Sequence, residues 1–108
     1  MNIEYSEFYL RDILNEVTTI AVVGASSKKH RDSYKVMQSL IENGYKVFPI
    51  NPNESGKNIL NLECLPNLDA VEENIDMVDI FRKHDAVMDI AKDAIKIGAK
   101  VLWMQEGI

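Results

Sequence analysis

The segment GASSKKHRDS, residues 24–33, carries the residue types that hold an anion: a glycine at a turn, the hydroxyls of Ser26 and Ser27, and the cations Lys28, Lys29 and Arg31. It follows an apolar run and precedes a helical pattern. A glycine turn between a strand and a helix offers backbone N–H groups and the positive end of the helix dipole to negative charge, and phosphate is its usual occupant. The dinucleotide fingerprint asks for three glycines: one for the turn, one for close approach of a pyrophosphate and one for helix-strand packing. Only Gly24 is present here, with Ser26 at the second place and Lys29 at the third. The next strand ends in Asn51 rather than in the acid that holds an adenosine ribose. NAD or FAD in the usual pose is disfavoured. Ser55-Gly56-Lys57-Asn58 likewise lacks the upstream glycine and the closing Gly-Lys-Ser/Thr of a nucleotide-hydrolase loop. The loop calls for a strongly anionic ligand of another kind.

The elements that must position this loop follow from hydrophobic periodicity. Residues 18–23 (TTIAVV) form a continuous apolar, β-branched run, the pattern of a strand buried on both faces of a parallel sheet. Ser33 opens a helix with Val36, Met37, Leu40 and Ile41 on one face, ending at Gly44. Residues 45–50 (YKVFPI) form a second strand, which reaches the corner Asn51-Pro52-Asn53, and a loosely patterned stretch through Leu65 holds a short edge strand. Residues 77–81 (MVDIF) are another strand. Asp85 then caps a helix that carries Val87, Ile90, Ala91, Ala94 and Ile95 inward and stops at Gly98. Residues 101–104 (VLWM) close the sheet, and Ser6 caps an amphipathic lead-in helix over 6–16. Strands alternating with helices of about ten residues predict right-handed crossovers. The expected architecture is a single α/β domain, a Rossmann-like open parallel sheet of about five strands with helices on both faces.

In such sheets ligands lie beyond the carboxyl ends of the strands. Those ends are Gly24-Ala25-Ser26-Ser27, Asn51-Pro52-Asn53, Phe81-Arg82-Lys83 and Gln105-Glu106-Gly107. Composition narrows the ligand further. A net charge of −5 over 108 residues argues against nonspecific binding to nucleic acid or to an anionic membrane, so the positive cluster at 28–31 is a local feature of an acidic protein. No apolar run approaches the ~20 residues of a membrane span, and the one cysteine, Cys64, forms no internal disulfide. The expected location is the cytoplasm.

The chain resembles the stand-alone coenzyme A-binding domain family, related to the CoA-binding domain of the succinyl-CoA synthetase alpha subunit. The resemblance runs from about Thr18 to the last residue. It rests on Val-Gly-Ala-Ser at 23–26, Arg31 with Ser33-Tyr34 and Val36, Gly44-Tyr45-Lys46-Val47 leading to Pro49-Ile50-Asn51-Pro52, Val78-Asp79 with Phe81-Arg82, and Trp103-Met104-Gln105-Glu106-Gly107-Ile108. It implies that CoA or an acyl-CoA lies across the carboxyl edge of the sheet. Gly24, Ala25, Ser26, Arg31 and Ser33 would hold phosphate, Ile50, Asn51 and Pro52 would flank the nucleotide, Phe81 and Arg82 would line the next stretch, and Gln105, Glu106 and Gly107 would complete the site. The family pattern continues past the Glu-Gly-Ile turn with another helix and strand. With the sequence ending at Ile108, residues 101–104 are expected to form an uncovered edge open to self-association.

Catalytic candidates are few. His30 and Cys64 belong to distant segments without orienting partners, His84 reads as a helix-start residue, and Asp76, Asp79, Asp85 and Asp89 lack metal-ligand spacing and read as caps and solvated charges. The phosphorylated histidine of the synthetase belongs to a separate domain, so that activity does not transfer. Noncatalytic CoA binding by a sensor, carrier or regulatory module is the leading reading. An NAD(P)-type enzyme fragment and a partner-interaction module without ligand are the alternatives.

Overall fold

The computed structural model describes residues 17–104; the lead-in helix expected over 6–16 and the turn Gln105-Glu106-Gly107 lie outside them. Strand β1 (Thr19–Val23) is buried on both faces, as its unbroken apolar run requires. Ile20 and Val22 point to one face, where helix α1 (Asp32–Glu42) sets the fully buried Met37 against them. Ala21 and Val23 point to the other. Strand β2 (Lys46–Ile50) pairs in parallel with β1, Val22 opposite Pro49 and Val23 opposite Ile50.

The loosely patterned stretch forms a hairpin of its own. Strands β3 (Asn58–Ile59) and β4 (Leu62–Glu63) pair antiparallel around Leu60 and Asn61, whose φ values are 51° and 66°. Two consecutive positive φ values fold the segment back on itself, so its ladder hydrogen bonds are internal. Leu65 joins the main sheet through an isolated parallel bridge to Ile50, while Ile59 and Leu62 pack into the core beside it. The main sheet therefore has four strands among the described residues rather than about five. Strand β5 (Met77–Ile80) joins β1 on the side away from β2, and β6 (Val101–Met104) follows it, giving the all-parallel order β2-β1-β5-β6.

Helix α2 (His84–Lys96) crosses from β5 to β6 over the face opposite α1, burying Ala94 and packing Val87 and Ile90, with Ile97 just past its end, against Val78 and Ile80, whereas Ile95, expected to point inward, is 75% exposed. The sheet thus has helices on both faces. The helix starts differ from the sequence expectation. The cap residue of α2 is Lys83, in extended conformation at φ −65° and ψ 157°, and Asp85 lies in the first turn. Helix α1 likewise begins at Asp32 behind an extended Arg31, so Ser33 lies inside the helix and is buried. On β6, Val101 and Trp103 turn toward the α1 face, while Leu102 and Met104 remain 39% and 54% exposed at the edge of the sheet.

Asp76 ties the amino-terminal ends of three strands together. Its Oδ2 accepts hydrogen bonds from Thr18 N at 2.9 Å, Thr18 Oγ1 at 2.9 Å and Thr19 N at 3.3 Å. Its carbonyl accepts from Lys100 N and Val101 N at 2.8 and 3.0 Å. The Thr18 backbone and then its side chain, with lesser contributions from Thr19, lower the Asp76 carboxyl from 3.8 to about 2. A depressed folded-state pKa contributes stability that is fully present above the unfolded value and lost as pH falls through the folded one. Asp76→Asn, which keeps the shape and removes the charge, is expected to cost about 2 kcal/mol near neutral pH, or about 10 °C in Tm. The gap between wild type and variant should close between about pH 4 and pH 2. A gap in thermal melts that stays constant down to the acid end of that window would contradict this role.

Candidate functional site

The connections after β1 and β5 leave the sheet toward opposite faces, since α1 covers one and α2 the other, and the crevice between them is the switch point at which open parallel sheets bind ligands. Gly24 makes the crevice possible. It has φ 89°, and a Cβ added there would overlap the Phe81 carbonyl oxygen, lie 3.0 Å from the Phe81 carbonyl carbon and 3.2 Å from Arg82 Cδ. The loop after β1 thus packs its backbone directly on the loop after β5.

The exit of β2 is tied to the same corner. Gly24 N and Ala25 N both donate to the Ile50 carbonyl, at 2.9 and 3.2 Å. Asn51 Nδ2 donates to the Ala25 carbonyl at 2.8 Å while Asn51 Oδ1 accepts from Asn53 N at 2.9 Å. Lys28 N donates to Ser26 Oγ at 3.1 Å, and Arg31 N to the Lys28 carbonyl at 3.1 Å. The amides of Gly24, Ala25, Lys28 and Arg31 are therefore spent on holding the shape of this corner.

Further backbone donors lie at the helix starts. Neither Arg31 at α1 nor Lys83 at α2 gives its helix a side-chain cap, and an α-helix leaves the amides of its first turn without intrahelical partners. Two helix N-termini, one from each face of the sheet, thus open on one cleft with a cation at each cap position. The cleft has a volume of about 790 Å³, and Lys28, Arg31, Lys57, Arg82 and Lys83 line it against two acids, Asp32 and Glu54. Ion pairs between described residues are Lys46–Glu73 and Lys100–Asp76, and neither involves a cleft residue. The cleft thus carries a local excess of positive charge on an acidic protein.

Of the residues singled out from the sequence, Gly24, Ser26, Arg31, Ser33, Asn51, Phe81 and Arg82 all line this cleft. Ala25 and Ile50 lie beneath it, 0% and 2% exposed, and Pro52 is exposed but off the cleft wall. Gln105, Glu106 and Gly107 are outside the described residues. Asn53, named with the strand end at 51–53, also lines it, whereas sequence reading missed Glu54 and Lys57, which the turn after Asn51 and the approach to the β3–β4 hairpin bring to the rim. Asn51-Pro52 signals the turn, whereas nothing local signals that Lys57 faces the loop after β1. His30 also lines the cleft. Cys64 is fully buried with its Sγ 3.6 Å from the Asn51 carbonyl, and burial raises its thiol pKa, which makes it an inert packing residue.

Known proteins share both the sequence and this architecture. The chain is 29% identical over 103 residues to the uncharacterized protein YneT of Bacillus subtilis, covering 95% of this chain and 75% of that one. It is 29% identical over 93 residues to the ADP-forming acetate–CoA ligase II of Archaeoglobus fulgidus, covering 84% of this chain but only 13% of the ligase. A solved Thermus thermophilus structure superposes with a TM-score of 0.86 at 33% identity, covering all of this chain and 78% of the other. The family model of the CoA binding domain matches residues 18–108, the span that contains every described strand, the starts of α1 and α2 and the cleft, and the chain belongs to that family.

Proposed function

We propose that this domain binds coenzyme A or an acyl-CoA without acting on it chemically, as a sensor, carrier or regulatory module in the cytoplasm. The observation that carries the reading is the convergence of two uncapped helix starts and five Lys and Arg side chains on one cleft at the switch point. Coenzyme A has a pyrophosphate and a further ribose phosphate, and its charge suits a cleft richer in cations than a dinucleotide needs. Ser26, Arg31 and Ser33 hold phosphate in this reading, Gly24 allows the close backbone packing behind them, Ala25 and Ile50 set the floor, Asn51 flanks the nucleotide, Phe81 and Arg82 line the path beyond, and Gln105, Glu106 and Gly107 complete it. Membership of the CoA binding domain family and the kinship with an acetate–CoA ligase support the choice of ligand. Among the described residues no helix is long and apolar enough to cross a membrane.

A thermal-shift series with isothermal titration tests the reading. At about a hundredfold excess over Kd, CoA should stabilise the domain by about 2.7 kcal/mol, more than dephospho-CoA or NAD at the same concentration. Equal shifts with NAD or NADP would favour a nucleotide-cofactor enzyme fragment, and no shift with any of them would leave a partner-interaction module. The β6 edge with its exposed Leu102 and Met104 supports self-association; sedimentation as a monomer at every concentration would remove that part.

A further inference from the structure

Among the cations of the cleft sits one carboxylate that the chain itself delivers to the anion-binding loop. Glu54 ends the short 3₁₀ turn Pro52–Glu54, and that turn is fixed at its base: Glu54 N donates to the Asn51 carbonyl at 3.1 Å, and the Asn51 side chain braces both Asn53 N and the Ala25 carbonyl. From there the Glu54 carboxylate reaches across to Ser27. It accepts from Ser27 N at 3.2 and 3.4 Å through its two oxygens and from the Ser27 hydroxyl.

This contact is unlike the others in the loop. The amides of Gly24, Ala25, Lys28 and Arg31 are held by carbonyls or by a hydroxyl of the same corner. The Ser27 amide and hydroxyl together bind an anionic group, in the two-donor geometry a phosphate oxygen would use. Glu54 lines the cleft, and its carboxylate holds the exposed Ser27 beside it, so the Ser27 donors are taken by a group of the cleft wall.

We propose that Glu54 is the resident anion of the cleft: in the free protein its carboxylate occupies the Ser27 donors, and an incoming phosphate group competes with it for them. Resting on the phosphate-binding reading above, this makes Glu54 a residue that weakens the hold of the site on any phosphorylated ligand. Neutralising it removes both the competitor and a like charge beside the ligand. A residue that merely braced the loop would act in the opposite direction, because weakening the brace disorders the site.

The test uses Glu54→Gln, which preserves shape and one acceptor oxygen. Inorganic pyrophosphate and CoA are each titrated into wild type and variant by calorimetry, and a thermal melt of the ligand-free variant checks that it is folded. The variant is expected to bind pyrophosphate about fivefold tighter at low ionic strength, with the difference shrinking as salt is added. Equal or weaker pyrophosphate binding by the variant, or none by either protein, overturns the inference. If pyrophosphate behaves as expected while CoA fails to bind, the choice of CoA falls and the role of Glu54 stands.

Discussion

Gly24→Ala is expected to destabilise the domain by about 3 kcal/mol or more, a Tm loss of about 15 °C, and to abolish CoA binding in the protein that remains folded. Two costs combine at this position. The backbone sits at φ 89°, where a side chain costs about 1 kcal/mol. The added methyl would also meet the Phe81 carbonyl, and that stretch has little room to yield, because Phe81 N is hydrogen-bonded to the Val23 carbonyl at 2.8 Å just beyond the central pairing of β1 with β5. Relief would come from spreading the loops after β1 and β5, which is the geometry that makes the cleft. Gly44 offers the matched comparison, since it has the same φ of 89° and a methyl placed there would find nothing within 4 Å. Gly44→Ala should therefore cost only about 1 kcal/mol and leave CoA affinity unchanged. Denaturant midpoints for the two variants separate backbone strain from steric contact, and equal losses would show that the approach to Phe81 does not matter.

The strands and helices were legible because their signals are local. The unbroken run of β1, the helical stripe of Val36, Met37, Leu40 and Ile41, and the alternation of element types together imply a parallel sheet covered on both faces. The strand ends likewise marked Gly24, Asn51, Phe81 and Arg82, all of which line one cleft. What escaped the sequence depended on distant partners or on rules that the site violates. Leu60-Asn61 carries no glycine to announce a two-residue turn with positive φ, so the hairpin that delivers Lys57 was not visible. Asp76 looked like one of several scattered acids, yet its partners Thr18 and Thr19 are 58 and 57 residues away. Asp85 and Ser33 were natural cap residues by type, but the structure puts Lys83 and Arg31 there instead. A cation at a cap position is unfavourable to the helix by itself, even with Asp32 and Asp85 in the first turns, and two such caps facing one cleft are a departure from local preference that fits the proposed anionic ligand.

That departure gives the sharpest test of the site, because the effects on stability and on binding should have opposite signs. Arg31→Ser replaces a cation that opposes the α1 dipole with a residue whose hydroxyl can accept from the amides of the first turn. The ligand-free domain is expected to gain about 1 kcal/mol, a rise of about 5 °C in Tm. CoA affinity should meanwhile fall by about thirtyfold, since the exchange removes a charge-assisted contact worth about 2 kcal/mol and gives the helix-start amides an internal partner. The slope of log affinity against log salt should become shallower by roughly one phosphate contact. Lys83→Ser does the same at α2, on the opposite face of the sheet, and because the two caps share no partner their effects on affinity should add. Arg31 is exposed, so loss of packing does not enter the comparison. Stability that falls together with affinity would make Arg31 a structural residue, and a more stable variant with undiminished CoA affinity would place the ligand away from this cleft.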